Sequence, residues 1–412
     1  MTQMWCLPGK RSDVTIDSMA KNQTQGRSGT VGPETGVKRV LIYRMGSLGD
    51  TVVALPSFHL IERSFPNAER RLLTNFPVNV KAPAAAAILA ESGLVHGYFR
   101  YAVGTRSPKE LLRLWWTLWS WKPEVLVYLG PVRGVVAAKR DASFFRLCGI
   151  SRQIGVPLTE AMQKHAFQPE YNALEPESER LARNIAELGD AAIGTPAAWD
   201  MRLTEAEAAR AKEALAVAGG RPLLAVSVGT KVQSKDWGRE NWQALLRRLG
   251  AEFPEYGLVL TGVKEENEAS EFAAQGWRDG AGSASPVLNL CGKLSPRESA
   301  ACFRHAQVFL GHDSGPMHLA ATVGTPCVAI FAARNIPRMW FPHGRHHRVI
   351  YHPVDCMGCG LETCIVQKKK CITGITVDEV AREAIAALRA RAAGENSAEM
   401  PGPEGLLSIR LA

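Results

Sequence analysis

The sequence predicts an α/β protein built from two successive halves, each a parallel sheet alternating with helices. Three observations carry this. Short apolar runs of strand type recur from 39–43 to 327–331 and alternate with stretches of helical period. Four strands of the second half run at their carboxyl ends into polar loops, the edge along which open α/β sheets hold ligands. Between the halves the composition shifts at 175–200, where a helix gives way to Gly-Thr-Pro and a connecting segment.

Residues 1–37 have no periodicity and few aliphatics, which predicts a disordered tail. Arg39-Val-Leu-Ile-Tyr43 is a strand that enters the turn Arg44-Met-Gly-Ser-Leu-Gly-Asp50. A helical pattern follows to about Phe65, kinked or restarted at Pro56, and 71–75 is the next strand. The turn carries Gly46-x-x-Gly49 rather than Gly-x-Gly-x-x-Gly, and no acidic residue closes the second strand, so a nicotinamide dehydrogenase is not expected. Asp50 sits where the helix begins, suited to a cap or to chemistry. Residues 84–94 and 109–121 read as helices and 124–129 as a strand. Trp115, Trp116, Trp119 and Trp121 are too many for one buried face, and with Lys and Arg around them they suit an interfacial helix as well as core packing. Arg133, Lys139, Arg140 and Arg146 make the next segment basic, which suits an ordinary solvated face or an acceptor with phosphates.

The second half opens on a helix at 204–216, capped by Thr204, and a buried strand at 222–228. A polar loop, Gly229-Thr-Lys-Val-Gln-Ser-Lys235 and onward, leads to a helix at 242–253. Strands at 256–260 and 287–290 end in Thr261-Gly-Val-Lys-Glu-Glu266 and Gly292-Lys-Leu-Ser295, with a helix at 297–306. Then comes the stretch on which the functional reading turns, Phe309-Leu-Gly-His-Asp-Ser-Gly-Pro-Met-His-Leu-Ala-Ala-Thr-Val-Gly-Thr-Pro326 and the apolar strand 327–331. Ser314 is a good cap, Gly315-Pro316 opens a helix, and Gly324 stops it. A helix start at the carboxyl edge of a parallel sheet offers free N–H groups to an anion, and Asp313, Ser314 and His318 add polar groups there. Residues 377–391 form a closing amphipathic helix before a loose tail.

The chain has 412 residues, room for two ordinary domains with tails, and 46% hydrophobic and 22% charged residues are ordinary for a globular protein. A net charge of +9 favours anionic partners, and no nucleic-acid module is present, so nucleic acid is not expected. The most apolar helix, 111–121, is too short to cross a membrane, contains Arg113 and is flanked by Lys109 and Lys122. No signal peptide is visible, which sets a cytoplasmic expectation with the nine cysteines mostly reduced. The run Cys356-x-x-Cys359-x4-Cys364-x6-Cys371 has metal-like spacing, although a fold with its own core does not need a structural metal; the spacing leaves both readings open.

Taken in order, Ser47-Leu-Gly-Asp50 with Leu55-Pro56, Lys235-Asp-Trp237 with Trp242, and His312-Asp-Ser-Gly-Pro-Met-His-Leu-Ala-Ala resemble glycosyltransferase family 9, the heptosyltransferase-like enzymes of lipopolysaccharide assembly. Pro337 and Trp340-Phe-Pro342 resemble the family's next segment, and the likeness runs from about Lys38 to Arg391. It implies the GT-B fold, two Rossmann-like domains facing across a cleft. The expected division is an acceptor domain at 38–195, a nucleotide-sugar domain at 196–350, the cysteine segment and closing helix at 351–391, and tails at 1–37 and 392–412. The resemblance implies an inverting transfer needing no metal or other cofactor, usually from ADP-heptose, to a lipid-linked and phosphorylated glycan at the inner face of the cytoplasmic membrane. By the same likeness Asp50 is the base and Lys235 the phosphate-binding lysine. Donor contacts fall on Thr230, Lys231, Glu266 (or, one residue earlier, Glu265), Leu294, Asp313, Ser314, Gly315 and His318. Another nucleotide sugar on the same fold, or a non-catalytic binder of nucleotide sugars or glycans, are the alternatives; Asp50 and Lys235 favour an enzyme.

Overall fold

The computed structural model describes residues 32–75, 85–101, 107–345 and 347–394. The expected tails therefore lie largely outside the described residues. The first half runs β1 (Arg39–Tyr43), α1 (Leu48–Val52), α2 (Leu55–Ser64), β2 (Glu69–Asn75), α3 (Ala86–Leu89) and β3 (Gly97–Tyr101). It continues with α4 (Pro108–Trp121), β4 (Val125–Tyr128), α5 (Val135–Leu147), β5 (Arg152–Ile154) and α6 (Glu160–Gln163). A small antiparallel hairpin, β6 (Phe167–Gln168) and β7 (Ala173–Leu174), precedes α7 (Glu177–Asn184).

The second half comprises α8 (Glu205–Leu215), β8 (Leu223–Ser227), α9 (Arg239–Glu252), β9 (Gly257–Leu260), α10 (Asn267–Ala281) and β10 (Val287–Asn289). It closes with α11 (Pro296–Phe303), β11 (Ala306–His312), α12 (Gly315–Thr322), β12 (Cys327–Phe331), β13 (Arg348–Tyr351), α13 (Lys370–Thr373) and α14 (Val377–Ala392). No helix among the described residues is long and apolar enough to cross a membrane.

Both main sheets are parallel. The first has the order β3-β2-β1-β4-β5 and the second β10-β9-β8-β11-β12-β13. Each chain path therefore reverses direction across the sheet once, between β1 and β4 and between β8 and β11, and the crevice at such a switch point is where doubly wound sheets bind ligands. Alternation along β1 shows how both faces are covered. Val40 and Ile42 join the larger apolar core, while Leu41 and Tyr43 join a second cluster with Leu118 and Phe145 from α4 and α5.

Several sequence expectations shift. Pro56 does restart the helix, at the second position of α2, where its missing N–H costs nothing. The helix expected over 84–94 is only α3, because the chain turns at Ser92-Gly93 and Gly93 takes a positive φ of 69°. Helix α9 begins at Arg239, three residues before Trp242. The segment read only as basic is helix α5. Thr204 caps α8 as expected, its hydroxyl accepting from the Glu207 N–H at 3.2 Å while Glu207 reaches back to the Thr204 N–H at 2.7 Å.

The halves meet through polar as well as apolar contacts. Buried Arg297, on α11, donates to the Ile88 carbonyl of the first half and to the Met201 and Arg202 carbonyls of the connection, each at 2.8 Å. Near the cleft, α1 packs directly on α12. A Cβ added at Gly315 would lie 2.6 Å from Leu48 Cδ2, so only glycine lets these two helix starts approach this closely.

Candidate active site

The two switch points face each other across one cavity of about 660 Å³, a size ordinary for a small-molecule site. Its first-half wall is the loop after β1. Gly46 there has φ +146°, and a Cβ on it would lie 2.3 Å from Asp50 Cβ, so the loop must have glycine to fold over Asp50. Ser47 is the N-cap of α1 and Asp50 stands at the third helical position, a correction to the reading of Asp50 as the cap itself. Asp50 Oδ2 accepts from the Ser47 N–H and Oγ–H, each at 2.7 Å. The other oxygen, Oδ1, lies 3.8 Å from Arg44 Nη2.

Arg44 was not singled out from the sequence, yet it anchors this wall. It is 2% exposed and donates twice to the Asp50 carbonyl, at 2.8 and 3.2 Å, and once to the Leu129 carbonyl at 2.8 Å. Its charge is matched by Glu177 at 3.3 Å. Burial works to raise the Glu177 carboxyl, but hydrogen bonding from Arg180 and the nearby Arg44 outweigh it and hold Glu177 below the usual carboxylate range. The position of Arg44 directly after the carboxyl end of β1 was the available signal.

The second-half wall comes from the loops after β8, β9, β10 and β11. Thr230, Lys231, Lys235, Glu266, Leu294, Asp313, Ser314, Gly315 and His318 all line the cavity with Asp50; Glu265 does not. The resemblance thus selects residues that the fold brings together from both halves. Sequence reading missed Lys264, Arg334, Asn335 and Glu362 on the same wall. Lys264 sits in a loop already marked as polar, while Arg334 follows the carboxyl end of β12 and could have been found by that rule.

Lys235 Nζ lies 2.7 Å from Asp313 Oδ2 and donates to the Asp313 carbonyl at 3.0 Å. The short carboxylate contact is poorly directed, so it is an ion pair rather than a well-formed hydrogen bond. The Lys235 loop is braced from outside by the cysteine segment. Ser234 donates to the Glu362 and Leu361 carbonyls at 3.0 and 2.6 Å, and the Cys364 N–H donates to Gln233 Oε1 at 3.0 Å. Among the described residues no group of three or more His, Cys, Asp or Glu side chains is placed to hold a metal ion.

Ser314 stands at the N-cap of α12, but its hydroxyl makes no capping bond, unlike the expectation. Its Oγ, Ser227 Oγ and Thr261 Oγ1 are buried and have no partner within the protein. All three line the cavity, at the carboxyl ends of adjacent strands β11, β8 and β9. Buried hydroxyls are normally bonded, so three orphans on one floor suit a ligand rich in oxygen acceptors and donors.

Beneath them aromatic rings pack closely. Trp237 and Trp242 are buried edge to face at 5.2 Å, and the His312 ring meets Trp242 at 5.1 Å. Burial pushes His312, His318 and His343 down to about 4, so all three are neutral near pH 7. The sign of the linkage follows. Between an unfolded value near 6.5 and a folded value near 4 the unfolded chain binds more protons, so stability is lost as pH falls through this range. Each such histidine contributes up to about 1.4 kcal/mol per pH unit. The melting temperature is expected to fall steadily from pH 7 to pH 4.5. A flat profile over that interval would show that these rings are charged or solvated.

The comparisons with known proteins bear on this geometry. The family model for glycosyltransferase family 9 (heptosyltransferase) matches residues 141–370, more than half of the chain. This chain belongs to glycosyltransferase family 9. Over 103 residues it is 34% identical to lipopolysaccharide heptosyltransferase 3 of Escherichia coli, which is 24% of this chain and 28% of that protein. Over 98 residues it is 28% identical to lipooligosaccharide heptosyltransferase 2 of Campylobacter jejuni, 24% of this chain and 31% of that one. The matched stretches thus span less than a third of these curated relatives.

Solved family 9 structures extend the likeness in fold. The glycosyl transferase family 9 protein of Veillonella parvula superposes with a TM-score of 0.61 at 15% identity, over 85% of this chain and 97% of that one. E. coli ADP-heptose lps heptosyltransferase II gives 0.58 at 17% identity, over 86% and 99%. The fold is GT-B, as the resemblance implied, with the cleft of this family 9 chain formed by its two Rossmann-like sheets.

Proposed function

We propose that this chain transfers heptose from ADP-heptose, with inversion, to a lipopolysaccharide core or related lipid-linked and phosphorylated glycan at the inner face of the cytoplasmic membrane. The observation that carries the reading is one cavity shared by a carboxylate from the first half and lysines from the second, each at a switch point. In this scheme Asp50 takes the proton of the acceptor hydroxyl as its oxygen attacks the anomeric carbon. The bond from that carbon to the diphosphate breaks, and its electron pair leaves on the diphosphate oxygen. Lys235, Lys231 and the first N–H groups of α12 meet the charge that develops there, in place of a metal ion. A single displacement inverts the anomeric centre, and Asp50 returns its proton to water.

The orphaned hydroxyls of Ser227, Thr261 and Ser314 suit a sugar and phosphate ligand better than an apolar one. Thermal shift with ADP, ADP-heptose and NAD tests the donor class, since a ligand at 100 times its Kd adds about 2.7 kcal/mol. ADP and ADP-heptose are expected to raise the melting temperature more than NAD, and turnover is expected to survive EDTA. Stronger stabilisation by NAD overturns the transferase reading. Activity lost in EDTA with the melting temperature unchanged, and restored by a divalent cation, overturns the metal-free part alone.

A further inference from the structure

Helix α4 has two apolar stripes where a surface helix needs one. Leu114, Leu118 and Trp121 recur at i, i+4 and i+7 and pack against the first sheet, with Leu118 fully buried. Leu112, Trp116 and Trp119 repeat the same spacing on the outer side and are 64%, 58% and 44% exposed. The indoles of Trp115, Trp116 and Trp119 lie together, with centroids 5.3 to 6.2 Å apart. The Trp115 ring N–H donates to the Leu147 carbonyl at 2.8 Å, which brings the end of α5 alongside, and the Leu147 side chain is 73% exposed. Leu112, Trp116, Trp119 and Leu147 thus form one apolar ridge.

Folding of the first half does not call for this ridge, and exposed clusters of large apolar side chains mark surfaces that something covers. The rim says what covers it. Lys109, Arg113, Lys122 and Arg146 surround the ridge and are exposed, while Glu110 is the lone acid of α4. Among the described residues none of those four cations is engaged in an ion pair. Indole rings favour the level of lipid headgroups, and flanking lysines and arginines reach the phosphates while their stems lie on apolar surface. A chain with net charge +9 is also drawn to an anionic leaflet before contact.

We propose that the outer face of α4, together with the end of α5, docks the protein on an anionic phospholipid bilayer. Its purpose rests on the lipid-linked acceptor proposed above, but its test does not. These two helices cover the sheet that carries Asp50, so docking here holds the acceptor half at the membrane.

The test is flotation of the full chain with vesicles that contain no glycan. Wild-type protein is expected to float with vesicles of phosphatidylcholine and phosphatidylglycerol, and to stay in solution with phosphatidylcholine alone. Leu112→Ser/Trp116→Ser/Trp119→Ser is expected to weaken binding by roughly tenfold or more, as removing this much buried apolar area should. Arg113→Gln/Lys122→Gln/Arg146→Gln is expected to do the same and to flatten the dependence on salt. Thermal shift by ADP in both variants separates a folding defect from a docking defect and reports on the donor site independently. Unchanged flotation of both variants overturns the proposal. So does a wild-type dimer, measured by sedimentation, that the serine variant converts to monomer while vesicle binding stays the same.

Discussion

Asp50→Asn is expected to lower the rate of transfer by about 100- to 10,000-fold while leaving donor binding nearly unchanged. The structure makes asparagine the more informative replacement than alanine. Asp50 has two separable duties: its Oδ2 closes the start of α1 by accepting from Ser47, and its carboxylate faces the cavity from the half opposite the lysines. The amide oxygen of asparagine can still accept from the Ser47 N–H, so the turn keeps its shape, but an amide cannot take a proton from the acceptor. Asp50→Ala removes both duties and is expected to add a loss of about 1 kcal/mol of stability from the missing reach-back bond. Initial rates beside calorimetric titration with ADP decide the matter. If the asparagine variant turns over at nearly the normal rate, Asp50 serves only the helix start and the base lies elsewhere.

On the proposal that its charge meets phosphate before and during bond breaking, Lys235→Ala is expected to behave differently, weakening ADP binding and lowering turnover by about 100- to 1,000-fold. The 2.7 Å pair with Asp313 adds a second consequence. Both side chains are largely buried, so removing the lysine leaves the Asp313 carboxylate without its counter-charge, and stability is expected to drop by about 3 kcal/mol. Asp313→Ala strands the lysine instead, and it too is expected to impair donor binding. Calorimetry well below each variant's melting temperature separates the two effects. A lowered melting temperature with donor affinity intact would make this pair structural alone.

What could be read from the sequence depended on the range of the interaction that shapes each element. Strands β8 and β12 are unbroken apolar runs covered on both faces, and they were legible from local pattern alone. Strand β5 is only Arg152-Gln-Ile154, held by pairing with β4, and three residues carry no period. Strand β3, Gly-Tyr-Phe-Arg-Tyr, puts a charge in a short run and was missed for the same reason. The site was legible where a motif fixes a local turn, as at Ser47 to Asp50 and Asp313 to His318. It was not legible where a buried cation binds carbonyls from distant segments. Nothing local to Arg44 announces Leu129 or Glu177, and nothing near Arg297 announces Ile88, 209 residues away.

The contact between Leu48 and Gly315 acts as a gauge block. With no room for even one methyl group between them, the two helix starts cannot close further around a short ligand. The contact therefore sets a lower limit on the distance from Asp50 to the cavity's second-half wall. A ligand must bring its own length to match. A ligand too small to span that least separation would touch one wall and leave the other to water.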